Sequence, residues 1–144
     1  MEKGSSVEAL RRGIERNAAA VEIYRAIARK SPERWLSGMA GAWREQRESL
    51  TSELSAILPL LGNSAAVLEL PPLLDTKQGL PSAGGHQAVE EMKTIETDDL
   101  ALYLALAAAN LAQPSLAQQF DSIAARVKLR IGIADSHLDL HALG

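Results

Sequence analysis

Apolar residues recur every three or four positions along most of this chain, the period of a helix with one buried face. Val7, Leu10, Ile14, Asn17, Val21, Tyr24 and Ala28 trace the first such face, with Asn17 its one polar member. Ser5-Ser6-Val7-Glu8, just ahead, has the spacing of a capping box. Ser31-Pro32 reads as a stop for the first helix, with Ser31 as N-cap and Pro32 at the first position of the second. Leu36, Met39, Trp43, Gln46, Leu50, Ile57 and Leu61 then trace a second face, and Pro59 bends or ends its last turn. Helices joined by so short a link lie antiparallel, which predicts a helical hairpin over 5–61.

The pattern breaks over 62–85, which holds Pro71, Pro72, Pro81 and several Gly residues around a short apolar piece, Ala65–Leu70. This stretch reads as a crossover that carries the chain along the helices and packs on them, with at most one short helical turn. Helical spacing resumes over 86–141 as a second hairpin, with a corner at Pro114-Ser115. Its last helix buries Leu116, Phe120, Ile123, Val127, Arg130 or Ile131, Ala134 and Leu138. Each long helix of about 25 residues spans roughly 38 Å. The expected fold is all-α: one four-helix domain over 1–144, two antiparallel hairpins and a single long crossover, the ferritin-like connection.

Composition narrows the chemistry. The chain is 47% hydrophobic but only 3% aromatic, which favours Ala- and Leu-rich helices over a sandwich. There is no cysteine, so disulfides, thiol catalysis and iron–sulfur clusters are excluded. A net charge of −3 leaves no basic footprint for nucleic acid. Arg11, Arg12, Arg16 and Arg25 are interleaved with Glu8, Glu15 and Glu22, which reads as a solvated helix face. The start of the chain lacks a signal-peptide core, and Leu100–Ala109 is too short to span a membrane, so a cytoplasmic protein is expected. Leu100–Ala112 is apolar nearly all round, which calls for cover from the crossover or from a second subunit in a homodimer.

The two hairpins superimpose on each other. Tyr24 falls on Tyr103, Val21 on Leu100, Ala28 on Ala107, Leu36 on Phe120 and Ala40 on Ala124. In the second half, Glu96 stands seven residues before Tyr103. This duplicated hairpin resembles the rubrerythrin branch of the ferritin-like superfamily. The resemblance implies a Glu seven residues before a Tyr on the first helix of each half, and a Glu-x-x-His on the second, together caging two irons. Carried onto this chain, the six ligand positions are Asn17, Trp43, Gln46, Glu96, Val127 and Arg130. Glu96 alone keeps a ligand of the family's type, so it is the one metal-ligand candidate at these positions. The departures predict a non-catalytic bundle, an interaction or scaffold protein without its di-iron centre. The alternative is a divergent iron-binding oxidoreductase acting on oxygen or peroxide. A third reading is a small-ligand binder between helices.

Four expectations about side chains follow. Arg130 faces Glu96 under this alignment, so the two are expected to pair, with Asn17 and Gln46 assisting; the competing reading sends both to solvent. Trp43 fills volume where a ligand is lost, and Tyr24 and Tyr103 are core residues whose hydroxyls find internal partners. A shifted register would instead gather Glu15, Glu45, Glu48 and Glu96 as a four-carboxylate cage. His137 and His141, with Asp135 and Asp139 nearby, read as bystanders favourably placed on the helix dipole, the alternative being a surface zinc or nickel site, which their spacing could also hold, while His86 shows no partner in the sequence.

Overall fold

A computed structural model describes residues 2–62, 64–76 and 84–143, with side chains to 140. Four long helices dominate: α1 (Ser6–Lys30), α2 (Arg34–Ile57), α3 (Gly84–Ala109) and α4 (Pro114–Leu143). The all-α expectation holds for the described residues, with one small addition. A two-residue strand β1 (Lys3–Gly4) pairs antiparallel with β2 (Leu68–Glu69). The described part of the crossover therefore contains a strand and no helical turn. Residues 77–83, with Pro81, lie outside the described residues.

Helix boundaries follow local chemistry. Ser5 caps α1 through the Glu8 amide, and the Glu8 carboxylate accepts from the Ser5 amide, completing the capping box. α1 stops at Ser31-Pro32 as expected, but α2 begins at Arg34 with Glu33 at its cap. Ser31 accepts instead from the Glu33 amide, a local turn that uses up its hydroxyl. After Ile57 the chain tightens into a 3₁₀ turn at Leu58–Leu60 around Pro59. α3 starts at Gly84, where φ is +77°, a conformation that favours glycine. Its neighbour Gly85 must also stay small, since a Cβ there would lie 2.7 Å from Trp35 Cζ2.

α1 packs on α2 and α3 on α4, and the two pairs meet chiefly through α1 and α3. Those two helices run antiparallel. Asn110 near the end of α3 bonds Ser6 at the start of α1, while Tyr24 reaches Glu96. Gln113 in the α3–α4 corner binds the Gly62 amide and the Leu60 carbonyl, so the end of α2 sits at that same end of the molecule. Gly85 lies against Trp35 at the other end. The described crossover residues run over α1: Arg12 donates to the Pro71 carbonyl and Arg16 to that of Pro72. Leu68 and Leu70 join the apolar cluster that contains Leu102 and Leu106, covering part of the apolar excess of α3. Leu104 and Leu111 stay 40% and 71% exposed.

The core comes in two apolar clusters. One gathers Leu10, Leu54, Leu106 and Phe120 with their neighbours. The other gathers Tyr24, Trp43, Met92 and Ala134 with theirs. Between them every helix contributes charge or amide to one buried layer: Arg16 and Asn17 from α1, Arg47 from α2, Glu96 and Asp99 from α3, and Arg130 from α4. No helix among the described residues is long and apolar enough to cross a membrane.

Candidate functional site

The layer is built around Glu96. Its Oε1 accepts from Arg130 Nε at 2.5 Å. Its Oε2 accepts from Arg47 Nη2 at 2.5 Å, from Arg47 Nε at 3.2 Å and from the Tyr24 hydroxyl at 2.5 Å. Arg47 also touches Asp99, with Nη1 lying 2.7 Å from Oδ2. Asp99 Oδ1 accepts from Arg16 Nε at 2.7 Å, and Arg16 spends its remaining nitrogens on the carbonyls of Pro72 and Ile95. Charged groups this deep persist only when paired, and here each is, although Asp99 Oδ2 meets Arg47 as an ion pair alone and accepts no hydrogen bond among the described residues.

The electrostatics follow from these contacts. Burial by itself would raise the Glu96 pKa. The charges of Arg47 and Arg130, with hydrogen bonds from Tyr24 and Arg47, outweigh it and hold the carboxyl below its ordinary range. Burial likewise opposes the Arg47 charge, but Glu96 and Asp99 keep that guanidinium firmly ionised. Tyr24 is pushed well above its usual value by burial first and by the Glu96 charge second. Tyr103 is raised mainly by burial, with the Asp99 charge adding to it. The layer thus holds three guanidiniums against two carboxylates, with both phenols neutral, one positive charge in excess.

Glu96 and Arg130 pair as expected, and the reading that sends both to solvent is overturned by their burial. Gln46 assists by accepting from Arg130 Nη1 at 2.9 Å. Asn17 serves Arg47 instead: its Oδ1 accepts from Arg47 Nη1, and its amide binds the Arg47 carbonyl and Thr51. Trp43 is buried with its ring edge-on to Tyr24, 5.9 Å between centroids, and Val127 is buried in the other cluster, both as space-fillers. Tyr24 has its internal partner. The Tyr103 hydroxyl is buried with no hydrogen-bond partner among the described residues, which corrects the expectation of an internal partner for it.

Three residues of the layer escaped the sequence reading. Arg16 was assigned to a solvated face, yet it is fully buried beside Asn17, whereas Arg11 is exposed as expected. Arg47 takes the interior position assigned to Gln46, because Leu36, Met39, Trp43, Arg47, Leu50, Leu54 and Ile57 form the continuous three–four spacing of α2. Asp99 stands three residues after Glu96 on the same face of α3, a spacing visible in the sequence. The four-carboxylate cage does not form, since Glu15, Glu45 and Glu48 are exposed and Glu48 is spent on Arg25 and Arg44. His137 stacks on Trp35 with centroids 4.8 Å apart, and Asp135 pairs with Lys93. The His141 side chain lies outside the described residues. His86 lies 3.0 Å from Glu90.

The donor set does not fit a di-iron centre. Both oxygens of Glu96 already face guanidiniums, and these repel a second cation at the same place. Among the described residues no three His, Cys, Asp or Glu side chains cluster as ligands.

A cleft of about 420 Å³ opens between α2 and α4. Gln46 and Arg130 lie at its polar side, and Leu50, Ile123, Leu129 and Ile133 line its walls. Arg126 also borders it but is held by two hydrogen bonds to Glu53 across the gap. Comparison of the chain with protein-family models, with curated proteins and with solved structures finds no match.

Proposed function

We propose that this protein is a non-catalytic ferritin-like four-helix bundle of the rubrerythrin type, an interaction or scaffold protein in which an ion layer stands where the family's di-iron centre would be. The observation that carries this reading is the closure of Arg47 and Arg130 on the two oxygens of Glu96. The antiparallel approach of α1 and α3, and the meeting of the equivalent positions Gln46 and Arg130, support the duplicated-hairpin arrangement. A buried ion layer of this kind sets helix register, since sliding any helix by one turn would strand a charge in an apolar cluster. The competing reading, an iron-dependent oxidoreductase acting on oxygen or peroxide, requires carboxylates free to ligate, and the two in this layer are engaged.

Metal analysis after loading the purified protein with ferrous iron tests the proposal. The expected result is no stoichiometric iron. Near two irons per chain would overturn it. The interaction role begins with a homodimer through the end of α3, where Leu104 on the helix and Leu111 in the turn that follows it are both exposed. Sedimentation at tens of micromolar checks this: a dimer that Leu111→Glu dissociates is expected, and a monomeric parent would sink it.

A further inference from the structure

The ion layer is not electrically closed, and its excess lies where the molecule is open. Three guanidiniums face two carboxylates in a medium that screens poorly. Arg16 and Arg47 are wholly enclosed, with every guanidinium nitrogen engaged. Arg130 differs. Nε serves Glu96 and Nη1 serves Gln46, but among the described residues nothing accepts from Nη2. Arg130 is 4% exposed and lines the cleft between α2 and α4, so the layer meets the cleft at this guanidinium.

The cleft walls add a second requirement. Leu50 and Ile123 form its floor with their core neighbours, and Leu129 and Ile133 stand at its lip, 70% and 45% exposed. Its volume lies in the range of small-molecule sites. Arg126 offers no competing cation, because Glu53 already neutralises it. One unspent guanidinium edge, one unbalanced positive charge and an apolar trough beside them call for a monoanion with a hydrocarbon body.

We infer that the cleft between α2 and α4 binds an aliphatic carboxylate, its head group on Arg130 Nη2 and its chain along Leu50, Ile123, Leu129 and Ile133. The carboxylate balances the layer and forms a charge-assisted hydrogen bond, while the chain covers the exposed Leu129 and Ile133. A dianion would overshoot the charge, and a bare anion would leave the trough in water. The inference is independent of the scaffold role proposed above.

Calorimetric titration of the full chain with decanoate, decanol and acetate tests it. Saturable binding of one decanoate per chain is expected, at least roughly tenfold tighter than decanol or acetate. Gln46→Glu provides the variant, because Gln46 is exposed and the substitution sets a carboxylate beside Arg130 without removing a core group. It should keep the parent's helical circular dichroism and weaken decanoate about tenfold or more. Leu129→Asp should do the same from the lip. Equal binding of decanoate and decanol overturns the inference, as does equal binding of acetate or undiminished binding to Gln46→Glu. A cleft filled by a second copy overturns it too: decanoate would then not bind, and Leu129→Asp would split a dimer.

Discussion

Arg130 Nε lies 2.5 Å from Glu96 Oε1, and both residues are buried in the middle of the molecule. The pair joins α3 to α4, and through Arg47 on the other oxygen it also joins α2. Removing the carboxylate leaves three guanidiniums against Asp99 alone. Glu96→Gln is therefore expected to lower unfolding free energy by about 3–5 kcal/mol, the cost of breaking a buried pair from one side. Replacing the whole unit (Arg47→Met, Glu96→Met and Arg130→Met) leaves the balanced pair Arg16–Asp99 and should recover most of that loss. Guanidinium chloride midpoints of the three proteins check both statements. A single variant as stable as its parent would mean that the layer contributes little.

The two tyrosines were read from sequence as equivalents, and the structure separates them. Tyr24 donates to a carboxylate at 2.5 Å, whereas the Tyr103 hydroxyl finds no partner among the described residues. Tyr24→Phe should cost about 1.5–3 kcal/mol, the range for a hydrogen bond to a charged group. Tyr103→Phe removes a buried, unsatisfied hydroxyl and should be neutral or stabilising. Urea denaturation of the two variants measures the contrast, and equal losses would contradict it.

What the sequence made legible is the periodic part. Four helices, the capping box at Ser5 and Glu8, the stop at Ser31-Pro32, the corner at Pro114 and the burial of Glu96 beside Arg130 all rest on local spacing or on repetition between halves. The charged residues of the layer were harder, because an arginine in an amphipathic helix looks the same whether it faces water or a partner. Arg16 sits among other arginines and glutamates, and only its position one step from Asn17 hints at burial. Gln46 and Arg47 both fit a step of three or four residues between Trp43 and Leu50, so that short span of spacing does not single out Arg47. Extending the apolar spacing through Leu54 would have selected Arg47. The strands β1 and β2 had no local signal, since two-residue pairing depends on where the crossover meets the chain start.

Acid should act on Glu96 in a defined window. Its folded pKa is held below the ordinary value of 4.5 by Arg47 and Arg130. A depressed carboxyl contributes stability that is fully present above the unfolded value and is lost as pH falls through the folded one. Parent stability should thus fall as pH drops below 4.5. In Glu96→Gln the fall should be shallower, because the group that takes up the proton is gone. Urea midpoints taken from neutral pH downward for both proteins isolate this contribution from that of the surface carboxylates. Parallel curves would show that Glu96 titrates as an ordinary carboxyl.

Alkali should act on the tyrosines with the opposite sign. Tyr24 and Tyr103 are the chain's two tyrosines, and both are fully buried. Burial raises both above the ordinary value of 10.0, helped by the charge of Glu96 at Tyr24 and of Asp99 at Tyr103. A raised phenol contributes stability that is fully present below the unfolded value and is lost as pH rises from there toward the folded one. Neither ring is therefore expected to ionise while the helices stand. The near-ultraviolet absorbance of tyrosinate should stay flat through pH 10, where an exposed tyrosine is half ionised. It should then rise steeply, together with the loss of helical circular dichroism. A gradual rise centred near pH 10 with the helices intact would place at least one phenol in water and contradict the enclosed layer.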